Sequence, residues 1–370
     1  MNHKKLICIL LITLPIQIYY QALASASLKF ELGNQFRSKN DSMLLYGLTE
    51  AEYAPIKAAV RIFAENPRYK LSLRELTFSN NSEFLNVDIG FMHVAWGETF
   101  GFNIVDLINP RDYSDPLFLE SIWVKLPVFA LNMKYISGSL TIQGIVIPVP
   151  RHNILPETDL PVDLRDFNIE DIGHDSEVGA KINYLFDSGL DLGFIYFYHW
   201  NRNIVLELKQ DRRLNLIEDR IHSLGVTASH LAGNYVFRAD SIMHIDQPAQ
   251  VGFGFQHGTN WQTILGADTT SETQWTLGAQ YHMDRSVTDT FHWTSVRLRK
   301  PFFSEAIVVE TFLFRGLNNK DTWLQPQLTW NISASTSLIA RLDLLVAGDA
   351  GILPSFKDSD RAFAWFSYKF

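Results

Sequence analysis

Four charged side chains crowd one short stretch. Glu98, Asp106, Arg111 and Asp112 all fall between Phe84 and Pro116. Carboxylates beside an arginine can pair and hold a loop, ligate a hard cation, or set the field that a passing solute crosses. A hard cation takes six or more oxygen ligands, more than this stretch offers, so no metal or other cofactor is expected. Further charges stand two residues apart, Arg238 with Asp240 and Arg341 with Asp343, and Arg74 is a further candidate. In a strand that spacing puts both members of a pair on one face. His93, His152, His199, His222, His230, His244, His257, His282 and His292 are scattered, with no nucleophile motif around them. The expected chemistry is electrostatic rather than catalytic: charges that brace a wall, or that attract and repel permeating ions.

The elements that must position these charges are strands. Leu190 to Asn201 alternates Leu, Leu, Phe, Tyr, Tyr and Trp on one face with Asp191, Gly193, His199 and Asn201 on the other. Val128–Tyr135, Gln274–Met283, Asp321–Ile332 and Ser337–Val346 repeat the pattern. Period-two runs of about ten residues suit a tilted crossing of a bilayer. The pattern alone does not separate a soluble sandwich, which buries its apolar faces, from a membrane barrel, which turns them to lipid and its polar faces to a lumen.

Other features choose the barrel. Met1 to about Ala26 has the layout of a secretory signal: Lys4 and Lys5, an apolar run from Leu6 to Ile16, then small-x-small sites at Ala22–Ala24 and Ala24–Ala26. Cys8, the only cysteine, lies inside that run, so the mature chain would carry neither thiol nor disulfide. No later stretch is apolar over the ~20 residues that a membrane helix needs. Aromatic residues make up 13% of the chain, as girdles at two membrane interfaces would require. A formal net charge of −8 argues against a nucleic-acid partner.

The chain ends Arg361-Ala362-Phe363-Ala364-Trp365-Phe366-Ser367-Tyr368-Lys369-Phe370. Ala364, Phe366, Tyr368 and Phe370 share one strand face; Arg361, Phe363, Trp365, Ser367 and Lys369 share the other. A half-apolar edge strand is a liability in a soluble sheet, whereas a closed barrel pairs its last strand with its first. This ending resembles the terminal strand of bacterial outer-membrane β-barrels. The resemblance implies outer-membrane lipid and, through the strand ending in Phe370, the barrel-assembly machinery as partners. Tight turns are expected near Asp187–Gly189, Thr270–Ser271, Lys300–Phe302 and Ser333–Ser335. Longer polar connections are expected over Thr99–Glu120, Arg151–Asp175, Asn203–Glu218 and Ala347–Asp360. Counting back from the end gives an all-β, antiparallel up-and-down membrane barrel of about 18 strands, with 16 as the nearest alternative, over residues 27–370. Ala249–Asn260 reads as loop or strand, and Leu44–Ala64 is poorly patterned.

Between Phe84 and Pro116 a strand runs into Trp96-Gly97-Glu98, followed by Asn109-Pro110-Arg111-Asp112. This segment resembles a large, mostly uncharacterised family of porin-like bacterial outer-membrane barrels, in which a strand ending in Trp-Gly-Glu leads to an Asn-Pro-Arg-Asp turn. Leu73-Arg74-Glu75-Leu76 fits the same pattern. The connection keeps Phe100, Phe102, Ile104, Val105, Leu107 and Ile108 among its polar residues, which a loop lying in water would not need. Residues 98–120 are therefore expected to fold inward and narrow the barrel mouth. Glu98, Asp106, Arg111 and Asp112 would then be nearest the constriction, unless Arg111 merely pairs with Asp106 or Asp112. The function expected is a channel for passive or weakly selective passage of small solutes. The alternatives are a carrier of hydrophobic compounds, a polysaccharide exporter, a barrel enzyme, or an adhesive barrel with no pore.

Overall fold

A computed structural model describes residues 26–37, 43–53, 56–65, 68–97, 99, 103–113, 124–155, 162–164, 172–348 and 360–369. Residues 1–25 of the expected signal, Glu98, Phe100, Phe102 and Phe370 lie outside them, whereas Ala26, its expected last residue, opens the first strand. The described residues form one 18-stranded sheet. Its strands are β1 (Ala26–Arg37), β2 (Met43–Tyr53), β3 (Ile56–Glu65), β4 (Arg68–Asn81), β5 (Leu85–Met92) and β6 (Val128–Ser137). Then come β7 (Leu140–Ile147), β8 (Glu177–Leu185), β9 (Leu190–Trp200), β10 (Arg220–Ala232), β11 (Tyr235–Val251) and β12 (Gly254–Thr270). The last six are β13 (Thr276–Arg285), β14 (Thr290–Phe302), β15 (Ile307–Gly316), β16 (Thr322–Asn331), β17 (Thr336–Val346) and β18 (Arg361–Lys369).

Each strand pairs antiparallel with its neighbours in sequence, from β1–β2 through β17–β18. The last strand then pairs with the first, from Lys29 opposite Lys369 to Arg37 opposite Arg361. The ladder thus runs round in a ring, which leaves no unpaired edge. No helix among the described residues is long and apolar enough to cross a membrane.

Side-chain burial is inverted relative to a water-soluble sheet. In β10 Ser223 and Thr227 are buried while Leu224 and Val226 are exposed. In β17 Arg341 and Asp343 are buried while Leu342 and Leu344 are exposed. β18 buries Arg361, Phe363, Trp365 and Ser367 and leaves Ala364 exposed. An exposed apolar face repeated from strand to strand among the described side chains is costly in water and favourable in hydrocarbon.

One end of the ring carries only short turns, such as 138–139, 186–189, 233–234 and 332–335. The other end carries the long connections 93–127, 148–176, 201–219 and 347–360. Barrels of the outer membrane keep their short turns in the periplasm. Three short strands in the long connections, Val162–Asp163, Leu206–Leu208 and Leu214–Leu216, pair into a small second sheet.

Some expectations need correcting. Lys300–Phe302 is not a turn: it continues β14, and the chain reverses at 303–306. Phe303, Ser304 and Glu305 all take positive φ there, a left-handed turn without glycine that strand propensity does not foreshadow. Ala249–Asn260 is the tip of a long hairpin reversing at Gly252 and Phe253, and Leu44–Ala64 is the hairpin of β2 and β3. Gly90 in β5 has φ +136°, and a Cβ there would collide with the Leu76 carbonyl of β4. Only glycine lets the two strands stay in register at that point.

Candidate functional site

The connection from β5 to β6 is built on one asparagine. Asn109 Oδ1 accepts the Val94 N–H at 2.8 Å, and its Nδ2 donates to the carbonyls of Met92 and Leu126, each at 2.9 Å. The end of β5 and the approach to β6 are thus tied through one buried amide. Pro110 presents its carbonyl to the Leu126 N–H at 2.7 Å. The Asn-Pro pair therefore shapes the loop by clamping it, beyond setting a turn.

Apolar residues hold the loop to the wall. Trp96, Ile104, Val105 and Ile108 are buried in one cluster with Ile145 and Ile147 of β7, Ile195 and Phe197 of β9, Ile242 of β11 and Ile264 of β12. These wall residues alternate with the exposed ones, so they belong to the inner face. Trp96 meets Phe197 edge to face at 5.8 Å, and its Nε1 donates to Gln143 at 3.2 Å. Lys181 Nζ donates to the Trp96 carbonyl at 2.6 Å. Thr99 binds Asp240 Oδ2 through its amide at 3.2 Å and its hydroxyl at 2.8 Å.

A cavity of about 500 Å³ opens beside this loop. Asp106, Arg111, Lys125 and Arg202 line it, with Asn103, Asn153, Gln247 and Gln262 and the imidazoles of His199, His244 and His282. Asp106 forms an ion pair with Lys125, not with Arg111, and both members are largely buried. Arg111 and Lys125 also share a bridge between their chain segments, so the sequence-distant Lys125 takes the place expected for Arg111. Burial lowers Lys125 from the usual lysine range to about 8. Arg202 is anchored by buried Glu177 at 2.5 Å. Asp112 does not line the cavity. It is buried, its N–H donates to the Val124 carbonyl at 2.7 Å, and Tyr113 N–H donates to the Ile154 carbonyl at 2.8 Å.

The wall charges point inward. Arg74 and Asp240 are fully buried. Arg238 pairs with Asp268 on β12, not with Asp240 on its own strand. Arg341 Nε lies 3.4 Å from Asp343, which accepts from Gln325 at 2.7 Å, and its guanidinium stacks on Phe363 at 4.5 Å. Sequence reasoning missed one grouping, in which His199 and His244 meet on Ser223. His199 Nδ1 lies 2.7 Å from the Trp200 carbonyl, so it donates there. Its Nε2 then accepts from Ser223 Oγ at 2.7 Å, and Ser223 accepts from His244 Nδ1 at 2.7 Å. Nothing short of the β9–β10–β11 register would reveal this trio, because the residues are far apart in sequence.

An inverted ring with short turns at one end and a loop against its inner wall defines a porin-type β-barrel, and such a barrel belongs in the bacterial outer membrane. Three solved structures from Pseudomonas aeruginosa share the fold. OccK3 (OpdO) superposes with a TM-score of 0.57 at 12% identity, covering 95% of this chain and 98% of that one. OccK5 (OpdH) gives 0.56 at 10%, covering 93% and 97%. The outer-membrane protein OpdK, solved with vanillate, gives 0.55 at 10%, covering 93% and 98%. No family model matches the chain, and no curated protein does. At these identities the likeness is one of fold.

Proposed function

We propose that this chain is a channel for small polar solutes, passive or weakly selective, whose constriction is the β5–β6 loop. One observation carries the reading. Val105 and Ile108 are sealed against inner-wall Ile145, Phe197, Ile242 and Ile264, while Asp106, Arg111 and Lys125 from the same loop region turn to the cavity. Apolar residues fix the loop in place and charged ones meet the water column. Arg111 is the cation we assign to solute contact, with the Asp106–Lys125 pair beside it. Asp112 we assign to holding the loop, and Arg74, Arg238, Asp240, Arg341 and Asp343 to bracing the wall and setting the lumen field. The segment 98–120, with Glu98, belongs to the same constriction in this reading, and the last strand through Phe370 would be read by the assembly machinery. The polar lining speaks against a carrier with an apolar lumen, and the reading is of a non-enzyme.

Planar-bilayer recording of the refolded protein tests this. Discrete conductance steps are expected. Arg111→Gln should move the reversal potential toward cations, and Asp112→Asn should leave it near the wild-type value. Steps that ignore Arg111→Gln would reduce the loop to scaffold, and a barrel that never conducts would end the channel reading.

A further inference from the structure

The outer face carries the same tyrosine–histidine pair twice, each near the long-loop end, with an arginine on the terminal rung that stands on the histidine's strand in one set and on the tyrosine's strand in the other. Tyr196 stands four residues before the end of β9 at Trp200, and Tyr281 four residues before the end of β13 at Arg285. Each meets a histidine that is the third residue of the following strand, His222 in β10 and His292 in β14. The hydroxyl-to-Nδ1 distances are 2.9 and 2.6 Å, and the rings stack at 29° and 21°. The terminal rung beyond each pair holds one arginine: Arg220 opposite Trp200, and Arg285 opposite Thr290. Both tyrosines are exposed on the lipid side, flanked by buried Phe197 and Gln280, and both sets lie at the long-loop end.

The chemistry is that of an anion site at a membrane interface. A tyrosine O–H that donates to Nδ1 leaves Nε2 as the protonated nitrogen, a donor not used by that contact. An arginine one step nearer the rim adds fixed positive charge. Arg220 keeps its place by stacking 4.5 Å over Tyr198 and 4.6 Å over Trp200 and by donating to the carbonyls of Ser176 and His174. Its counter-charge is the buried Glu177 carboxylate, which it shares with Arg202, so two cations face one anion there. The two histidines are four strands apart, about 20 Å at the spacing of neighbouring strands, so each set is a separate site. An interfacial aromatic belt alone needs neither the matched histidines nor the arginines.

We propose that Tyr196–His222–Arg220 and Tyr281–His292–Arg285 each bind a phosphate on the headgroup of an outer-leaflet glycolipid. The inference rests on the reading that the long loops face outward from an outer-membrane barrel, but not on the channel's conducting. The test is native mass spectrometry of the full-length refolded barrel, titrated with lipid A bearing its phosphates, with lipid A stripped of them, and with phosphatidylglycerol. Two tightly held phosphorylated lipid A molecules are expected, with about tenfold or weaker binding for the stripped lipid and for phosphatidylglycerol. Arg285→Gln should remove one of the two, and His222→Phe combined with His292→Phe should weaken both. Equal binding of phosphorylated and stripped lipid A would overturn the proposal. So would equal binding of phosphatidylglycerol, or wild-type lipid stoichiometry in the double variant. Bilayer conductance of the same variants should match wild type, so lost lipid sites and a lost channel can be told apart.

Discussion

Thr99 and Asp240 are 141 residues apart, yet the Thr99 hydroxyl lies 2.8 Å from Asp240 Oδ2 on the inner wall of β11. The bond ties the loop to the side of the barrel away from its own attachment. A hydrogen bond to a buried carboxylate contributes about 1.5–3 kcal/mol. Thr99→Val should therefore loosen the loop without dismantling the barrel. Single-channel records should show more current fluctuation within the open level, and Asp240→Asn, which keeps an acceptor, should show less. Records as quiet as wild type in Thr99→Val would mean that this contact does not hold the loop.

Asn109 makes three buried hydrogen bonds to three backbone groups. Asn109→Ala leaves all three without that partner, at about 1–3 kcal/mol for each group that water does not reach. The barrel ring does not depend on them. Unheated gel electrophoresis should still show the compact form, while limited proteolysis should newly cut between Val94 and Leu126. A variant as protease-resistant as wild type would show that apolar packing alone secures the loop.

Lys125 should give the proposed channel a pH response. Its folded value of about 8 lies below the 10.5 of the free side chain. Below about 8 it carries its charge in both folded and unfolded chains, and burial of that charge costs stability. Between about 8 and 10.5 the unfolded chain binds more protons, so stability should rise with pH across that window. As the folded group loses its proton, Asp106 loses its counter-charge and the constriction becomes more negative. Cation preference, read from reversal potentials in a salt gradient, should rise between pH 7 and pH 9. Lys125→Met should show the high-pH preference at both values, and a flat profile in wild type would remove Lys125 from the permeation path.

Leu265 and Gln262 sit on opposite faces of β12. Leu265 is 52% exposed and faces hydrocarbon, whereas Gln262 lines the cavity. An arginine near the bilayer midplane on the lipid face costs about 2–4 kcal/mol. Leu265→Arg should lower the urea midpoint of the folded barrel in vesicles, and Gln262→Arg should leave it nearly unchanged. The reverse order would mean that the two faces are assigned the wrong way round.

The sequence by itself determined which residues share a strand face. Alternation is a local property of extended backbone, and runs such as Leu190–Asn201 and Arg361–Lys369 carry it without help from any other part of the chain. It also carried the spacing of short and long connections, and with it the strand number that the ring shows. Register and closure decided the rest. Whether Arg238 meets Asp240 or Asp268, whether Asp106 meets Arg111 or Lys125, and that His199 and His244 share Ser223 all depend on how neighbouring strands slide past one another and how the loop folds back. A shift of one residue turns every side chain to the opposite face. No local pattern of charges records that choice, because these partners meet only once the ring and its inner loop are in place.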